Sequence, residues 1–132
     1  MTSSSRLVSF SMLAIFFGAG TASAATLPIE HGFYVLEGVE CRDAPLAALF
    51  EYKDNQFSYP HAAQCRSEIA GQEGASYLVN ETCSAEGDGT PARPISTSSR
   101  YQILSRTRLV VTKLNAGDQT LRAYRFCPSV KN

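Results

Sequence analysis

The feature that most restricts this chain is a set of four cysteines, Cys41, Cys65, Cys83 and Cys127, all downstream of a segment built like an export signal. Arg6 places a positive charge near the start, and residues 7–18 are apolar apart from Ser9 and Ser11. Ala22-Ser23-Ala24 then gives the small-residue pattern after which a signal peptidase cuts. The apolar block is too short to span a bilayer as a helix. The sequence therefore predicts a signal peptide over 1–24, cleaved after Ala24, and a periplasmic or secreted mature chain over 25–132 with no membrane span. In an oxidising compartment an even number of cysteines reads as disulfides.

Removing 24 residues from 132 leaves 108, enough for one small domain. A domain of that size buries a modest share of its surface, so two covalent ties are a useful supplement to its core. Metal binding is the rival use of the cysteines. No C-x2-C or H-x3-H spacing occurs, and His61 with Cys65 would need two distant partners, so neither a metal nor another cofactor is expected.

Short runs rich in Tyr, Phe, Val, Ile and Leu alternate with Gly, Asp, Asn and Pro clusters, and none keeps a helical period for three turns. Strands are predicted over 33–39, 47–53, 56–59, 64–70, 76–84, 98–104, 108–114 and 120–127. The intervening turns fall at Asp54-Asn55, Gly71–Gly74, Glu86–Pro94, Ser105–Thr107 and Asn115–Asp118. Residues 43–50 could instead hold one or two helical turns behind Pro45. Glu86–Pro94 reads as a mobile loop. The fold class is all-β: a small antiparallel meander of about eight strands, closed as a barrel or left as a two-layer sandwich.

Geometry ranks the three possible cysteine pairings. With a hairpin tip near Gln72-Glu73, Cys65 and Cys83 lie opposite each other on neighbouring strands. The remaining pair, Cys41 with Cys127, closes a loop of 87 residues between the first and last strands. Those strands are neighbours in a closed meander, so this pairing and a barrel support each other.

Little in the chain points to catalysis. His31 sits near the mature N-terminus and His61 follows Pro60 in a turn. No Ser lies in a G-x-S-x-G elbow, and oxidised sulfur is not a nucleophile. Glu37, Glu40, Asp43, Glu51 and Asp54 are plentiful carboxylates, but so short a chain leaves little room for a glycosidase-type cleft as well as a core. Gly87-x-Gly89 runs into Pro91 rather than a helix, so it is no phosphate cradle. Asn80-Glu81-Thr82 fits the N-glycosylation acceptor pattern.

The charges are segregated. Residues 25–92 carry eleven acids and three bases, whereas residues 93–132 carry eight bases and Asp118 alone, a contrast of −8 against +7 inside a neutral chain. Adjacent strands of opposite charge can neutralise one another. Alternatively Arg100, Arg106, Arg108, Arg122 and Arg125 form a basic face for a protein or other anionic partner, since arginine forks suit carboxylates and phosphates. A four-residue loop at 115–118 puts Arg108 opposite Arg125, a like-charged pair that calls for an anion between them. Nucleic acid is disfavoured by the acidic half and by export.

These features suggest an exported, disulfide-tied binding module rather than an enzyme, with an inhibitor-like use of a rigid loop and the basic face as its concrete form. In architecture the chain resembles the periplasmic inhibitors of c-type lysozyme, small barrels whose first and last strands are bridged. Their Ser-Gly-x-x-Tyr loop is missing, the nearest text being Gly74-Ala75-Ser76-Tyr77, so the resemblance implies architecture and transfers no residues. Two alternatives are a lipocalin-like barrel for a small ligand and an envelope or secreted factor without a discrete site. Eight short strands are expected to fill their own interior with side chains, and the lipocalin G-x-W signature is absent because the chain has no Trp. An exposed Arg patch would favour the first reading, and a continuous apolar cavity the ligand carrier.

Overall fold

The computed structural model describes residues 26–115, 117 and 119–128. The signal peptide read over 1–24 lies outside the described residues, as does Asp118.

Eight strands form one antiparallel sheet: β1 Gly32–Leu36, β2 Leu49–Lys53, β3 Gln56–Ser58, β4 Ala62–Glu73, β5 Ser76–Glu86, β6 Pro91–Ser105, β7 Arg108–Lys113 and β8 Leu121–Cys127. Their order is β3-β2-β1-β8-β7-β6-β5-β4, so the first strand pairs with the last and the sheet curls into a nearly closed barrel. The seam lies between β3 and β4, which meet through the single bridge Tyr59–Ala62. Gly87 helps hold that seam shut. Any Cβ there would come within 1.8 Å of the Pro60 carbonyl oxygen, so the turn after β5 can rest on the β3–β4 link only because the residue is glycine.

An alternating pattern fills the interior from the end where β2–β3, β4–β5 and β6–β7 turn. Tyr34, Phe50, Tyr52, Phe57, Tyr77, Val79, Tyr101 and Leu109 form the core there, capped by Leu27 and Ile29 of the segment leading into β1. That segment is tied down by hydrogen bonds. Glu30 donates its backbone N–H to the Arg106 carbonyl at 2.8 Å, and the Tyr34 hydroxyl donates to the Glu30 carbonyl at 2.8 Å. This end of the barrel is a closed floor.

Both disulfides pair as read from the sequence, Cys41–Cys127 and Cys65–Cys83. The reason for the second differs in detail. The β4–β5 turn is Gly74-Ala75 rather than Gln72-Glu73, and a bulge between Ile69 and Gly71 absorbs the offset, returning Cys65 opposite Cys83. The first also has its own geometry. Cys127 stands opposite Phe33 and Leu36 opposite Tyr124, so the two strand ends are not adjacent. The chain turns back after Leu36, with Gly38 at φ +85°, and lies over the outer wall, where Arg125 donates to the Val39 carbonyl at 2.6 Å. Val35, on the outward parity, is thereby fully covered.

Two expectations are corrected. The stretch Glu86–Pro94 is not a mobile loop: it is a tight turn with Glu86 N–H donating to the Thr90 carbonyl at 2.9 Å, and β6 already begins at Pro91. The prolines are accommodated because β6 bears no β7 partner before Ser99, and because a ladder irregularity between Cys83 and Ala85 leaves Pro94 without a required bond. The helical option at 43–50 is realised only as the 3-10 turn Leu46–Ala48 behind Pro45, with β2 starting at Leu49. No helix among the described residues is long and apolar enough to cross a membrane.

Candidate functional site: a cavity in the open half of the barrel

The other end of the barrel, where β1–β2, β3–β4, β5–β6 and β7–β8 connect, is not filled. A cavity of about 490 Å3 runs into it, within the usual size of small-molecule sites. The expectation that eight short strands fill themselves therefore holds for the floor half only. The cause lies in the inward residues. Towards the floor they are aromatic, but further along β5 and β6 they become Glu81, Cys83, Ala85, Ser99 and Thr97, too small or too polar to occupy the space.

The apolar part of the wall comes from Phe50, Val79, Val111, Tyr101 and Tyr124. Phe50 braces two of the rings, with its centroid 4.9 Å from Tyr124 and 6.2 Å from Tyr59. Tyr101 is stacked on Phe57 at 5.0 Å. Such contacts fix the rings in place, so the wall is preformed.

A polar group is set into that wall. Glu81 is buried, its Oε2 accepting from the Ser67 hydroxyl at 3.0 Å and from the Tyr59 hydroxyl at 3.5 Å. Burial pushes its carboxyl above the ordinary value, opposed by those two hydrogen bonds and weakly by Lys113. The Tyr59 and Tyr101 phenols are both held well above the ordinary tyrosine value: burial is the main cause in each, followed by Tyr101 and Glu81 for Tyr59, and by Glu81 for Tyr101, where the hydrogen bond with Tyr59 acts in the opposite direction. The phenols remain neutral donors. Cys65, Glu81 and Cys83 lie close together, but the two sulfurs are bonded to each other and offer no thiolate to a metal.

Arg93, Lys113 and Arg122 add positive charge to the lining, against Glu81 and Glu86. Of the five arginines read as a basic face, Arg122 alone lines the cavity. Arg100 is exposed and pairs with Leu78 and Thr112 on the outward parity. Arg106, at the β6–β7 turn on the floor side, meets Glu30 at 2.7 Å. Arg108 and Arg125 do face each other as the loop length predicted. Each is met by the chain itself, Arg108 by the Glu37 carboxylate at 2.8 Å from Nε and Arg125 by the Val39 carbonyl. The structure thus brings Arg108 and Arg125 together and disperses the rest. His31 packs edge-on against Tyr52 at 5.4 Å near the floor, and His61 lines the open end beside Tyr59.

The sequence reading missed Glu81, Tyr59, Tyr101, Lys113 and Arg93. A usable signal was present: once Tyr77 and Val79 are placed inward, Glu81 shares their parity, and a carboxylate on the core face of a strand is unusual. Comparisons with protein-family models, curated proteins and solved structures find no match for the chain.

Proposed function

We propose that the protein is an exported binding protein that holds one small molecule with an apolar body in the open half of its barrel. The observation that carries this reading is the cavity of about 490 Å3, walled by braced aromatic rings, with the other end of the barrel plugged by Leu27 and Ile29. Small-molecule sites combine such a concave apolar wall with a few placed polar groups, here Glu81, Tyr59, Ser99 and Thr97. Two disulfides are typical of extracellular proteins and suit a rigid carrier outside the cytoplasm. Binding rather than turnover fits the wall chemistry, because neutral phenols and a carboxyl biased towards its protonated form hydrogen-bond a guest without a poised nucleophile.

Two features weigh against an inhibitor-like loop. The turn after β5 is short, and three of the five arginines already bond to the chain's own oxygens.

The test is a titration with N-phenyl-1-naphthylamine, a neutral apolar fluorophore, using the oxidised protein and its Thr97→Trp and Val111→Trp variants. Thr97 and Val111 line the cavity and are half-buried, and an aromatic ring is well tolerated in a strand. The expected result is saturable binding of one probe per chain, weakened by about tenfold or more in both variants as each indole takes up guest volume. Absence of saturable binding, or equal binding by both variants with native melting temperatures, would overturn the reading.

A further inference from the structure

Like charges set across a β-ladder are unfavourable unless an anion lies between them, and this barrel holds two basic pairs. The first is Arg108 with Arg125 on the outer wall. The chain itself supplies the oxygens there, from Glu37 and Val39. The second is Lys113 with Arg122. Val111 stands opposite Arg122 and Thr112 opposite Leu121, so Lys113 and Arg122 occupy diagonal positions on the inner face of β7 and β8. Diagonal neighbours lie about 7–8 Å apart, a distance that one oxyanion can bridge with two long side chains. Both line the cavity and both are exposed at its open end, yet among the described residues neither takes part in an ion pair.

Among the described residues, nearby acids do not make up the difference. Glu81 is set into the wall further in: it is buried and already accepts from Ser67 and Tyr59. Glu86, the last residue of β5, is a single exposed carboxylate in the lining, and Arg93 on β6 adds a third positive charge there. The lining is therefore cationic at its open end and aromatic further in, a polarity along one axis that matches a molecule with a charged head and an apolar body.

We propose, building on the cavity reading above, that the guest is an amphipathic anion whose carboxylate, sulfonate or phosphate head bridges Arg122 and Lys113 while its apolar body lies against Phe50, Val79, Tyr101 and Tyr124. The guanidinium fork of Arg122 presents two parallel donors to such a head, and Lys113 supplies a compact second charge. The arrangement does for a guest what Glu37 and Val39 do for the outer pair.

Two fluorophores of nearly the same shape separate this inference from the one it rests on. 8-Anilinonaphthalene-1-sulfonate carries the anionic head, and N-phenyl-1-naphthylamine lacks it. At low salt the sulfonate is expected to bind about tenfold more tightly than the neutral probe, a preference that moderate salt reduces by screening. The double variant Arg122→Gln/Lys113→Gln should bring the sulfonate to within about threefold of the neutral probe and leave the neutral probe unchanged, which also reports that the barrel is intact. Arg122→Glu should push the sulfonate below it. Equal binding of the two probes, or a sulfonate preference that survives the double substitution, would overturn the anion inference and leave the cavity reading standing. Failure of both probes to bind would overturn both.

Discussion

The two disulfides close loops of very different length, and this sets an order for their contributions. Cys41 and Cys127 are 86 residues apart in sequence, Cys65 and Cys83 only 18. In the chain-entropy treatment a crosslink removes entropy from the unfolded chain and so adds to the cost of unfolding by an amount that grows with the logarithm of loop length, about 4.6 kcal/mol for the long loop and about 3.2 kcal/mol for the short one at 25 °C. The difference of about 1.4 kcal/mol corresponds to about a tenfold ratio of unfolded populations. The long bridge also seats the return segment on the outer wall, where Arg125 binds Val39, so its loss exposes Val35 as well. The perturbation is paired replacement, Cys41→Ala/Cys127→Ala against Cys65→Ala/Cys83→Ala, so that no lone thiol remains. Equilibrium urea unfolding gives the free energies by linear extrapolation. With whole-domain stabilities of about 5–15 kcal/mol, either loss is large, and the first should be larger by at least about 1 kcal/mol. A short-loop variant as unstable as the long-loop one, or less stable, would refute the reasoning.

Glu81 makes stability depend on pH with a definite sign. Its folded value lies above the ordinary 4.5, so between the two values the native state holds more protons than the unfolded chain, and stability falls as pH rises through that window and then levels off. Glu81→Gln should abolish that fall and be the more stable protein at neutral pH, as read by urea midpoints between pH 4 and 8; a steeper fall in the variant would contradict the assignment. Gly87→Ala should cost about 2 kcal/mol or more and lower the melting temperature by several degrees, because the new methyl meets backbone at Pro60 that cannot rotate away. A melting temperature equal to wild type would show that the seam is looser than described.

How much of this was legible before the structure depends on whether a feature is local or needs register. The final hairpin was legible, since a four-residue loop at 115–118 with turn formers at three of its positions fixes the pairing of Arg108 with Arg125 on its own. The disulfides were legible because hairpin arithmetic tolerates small errors: the tip moved to Gly74-Ala75 and the bulge at Ile69–Gly71 moved the pairing back. The start of β6 was not legible. Pro91 and Pro94 look like loop residues, and only the one-sided pairing with β5 makes them acceptable in a strand. The separation of Arg122 from the other arginines was not legible for a related reason. Composition counts arginines without regard to parity, and parity sends Arg122 inward while Arg108 and Arg125 point out. The cavity was hardest of all to read, because it arises from what is small. Ser99, Thr97 and Ala85 leave space only because the strands around them hold the wall in place, and that wall is a property of the closed sheet.

Adjacent residues on one strand give the most direct measurement of whether a guest occupies the interior. Val111 lines the cavity and Val110, one residue earlier, faces the opposite way. With methyl-labelled valine and saturating N-phenyl-1-naphthylamine, intermolecular nuclear Overhauser effects should appear to the methyls of Val79 and Val111 and not to those of Val110. Contacts to Val110, or to neither inward valine, would place the probe outside the barrel and contradict a binding cavity.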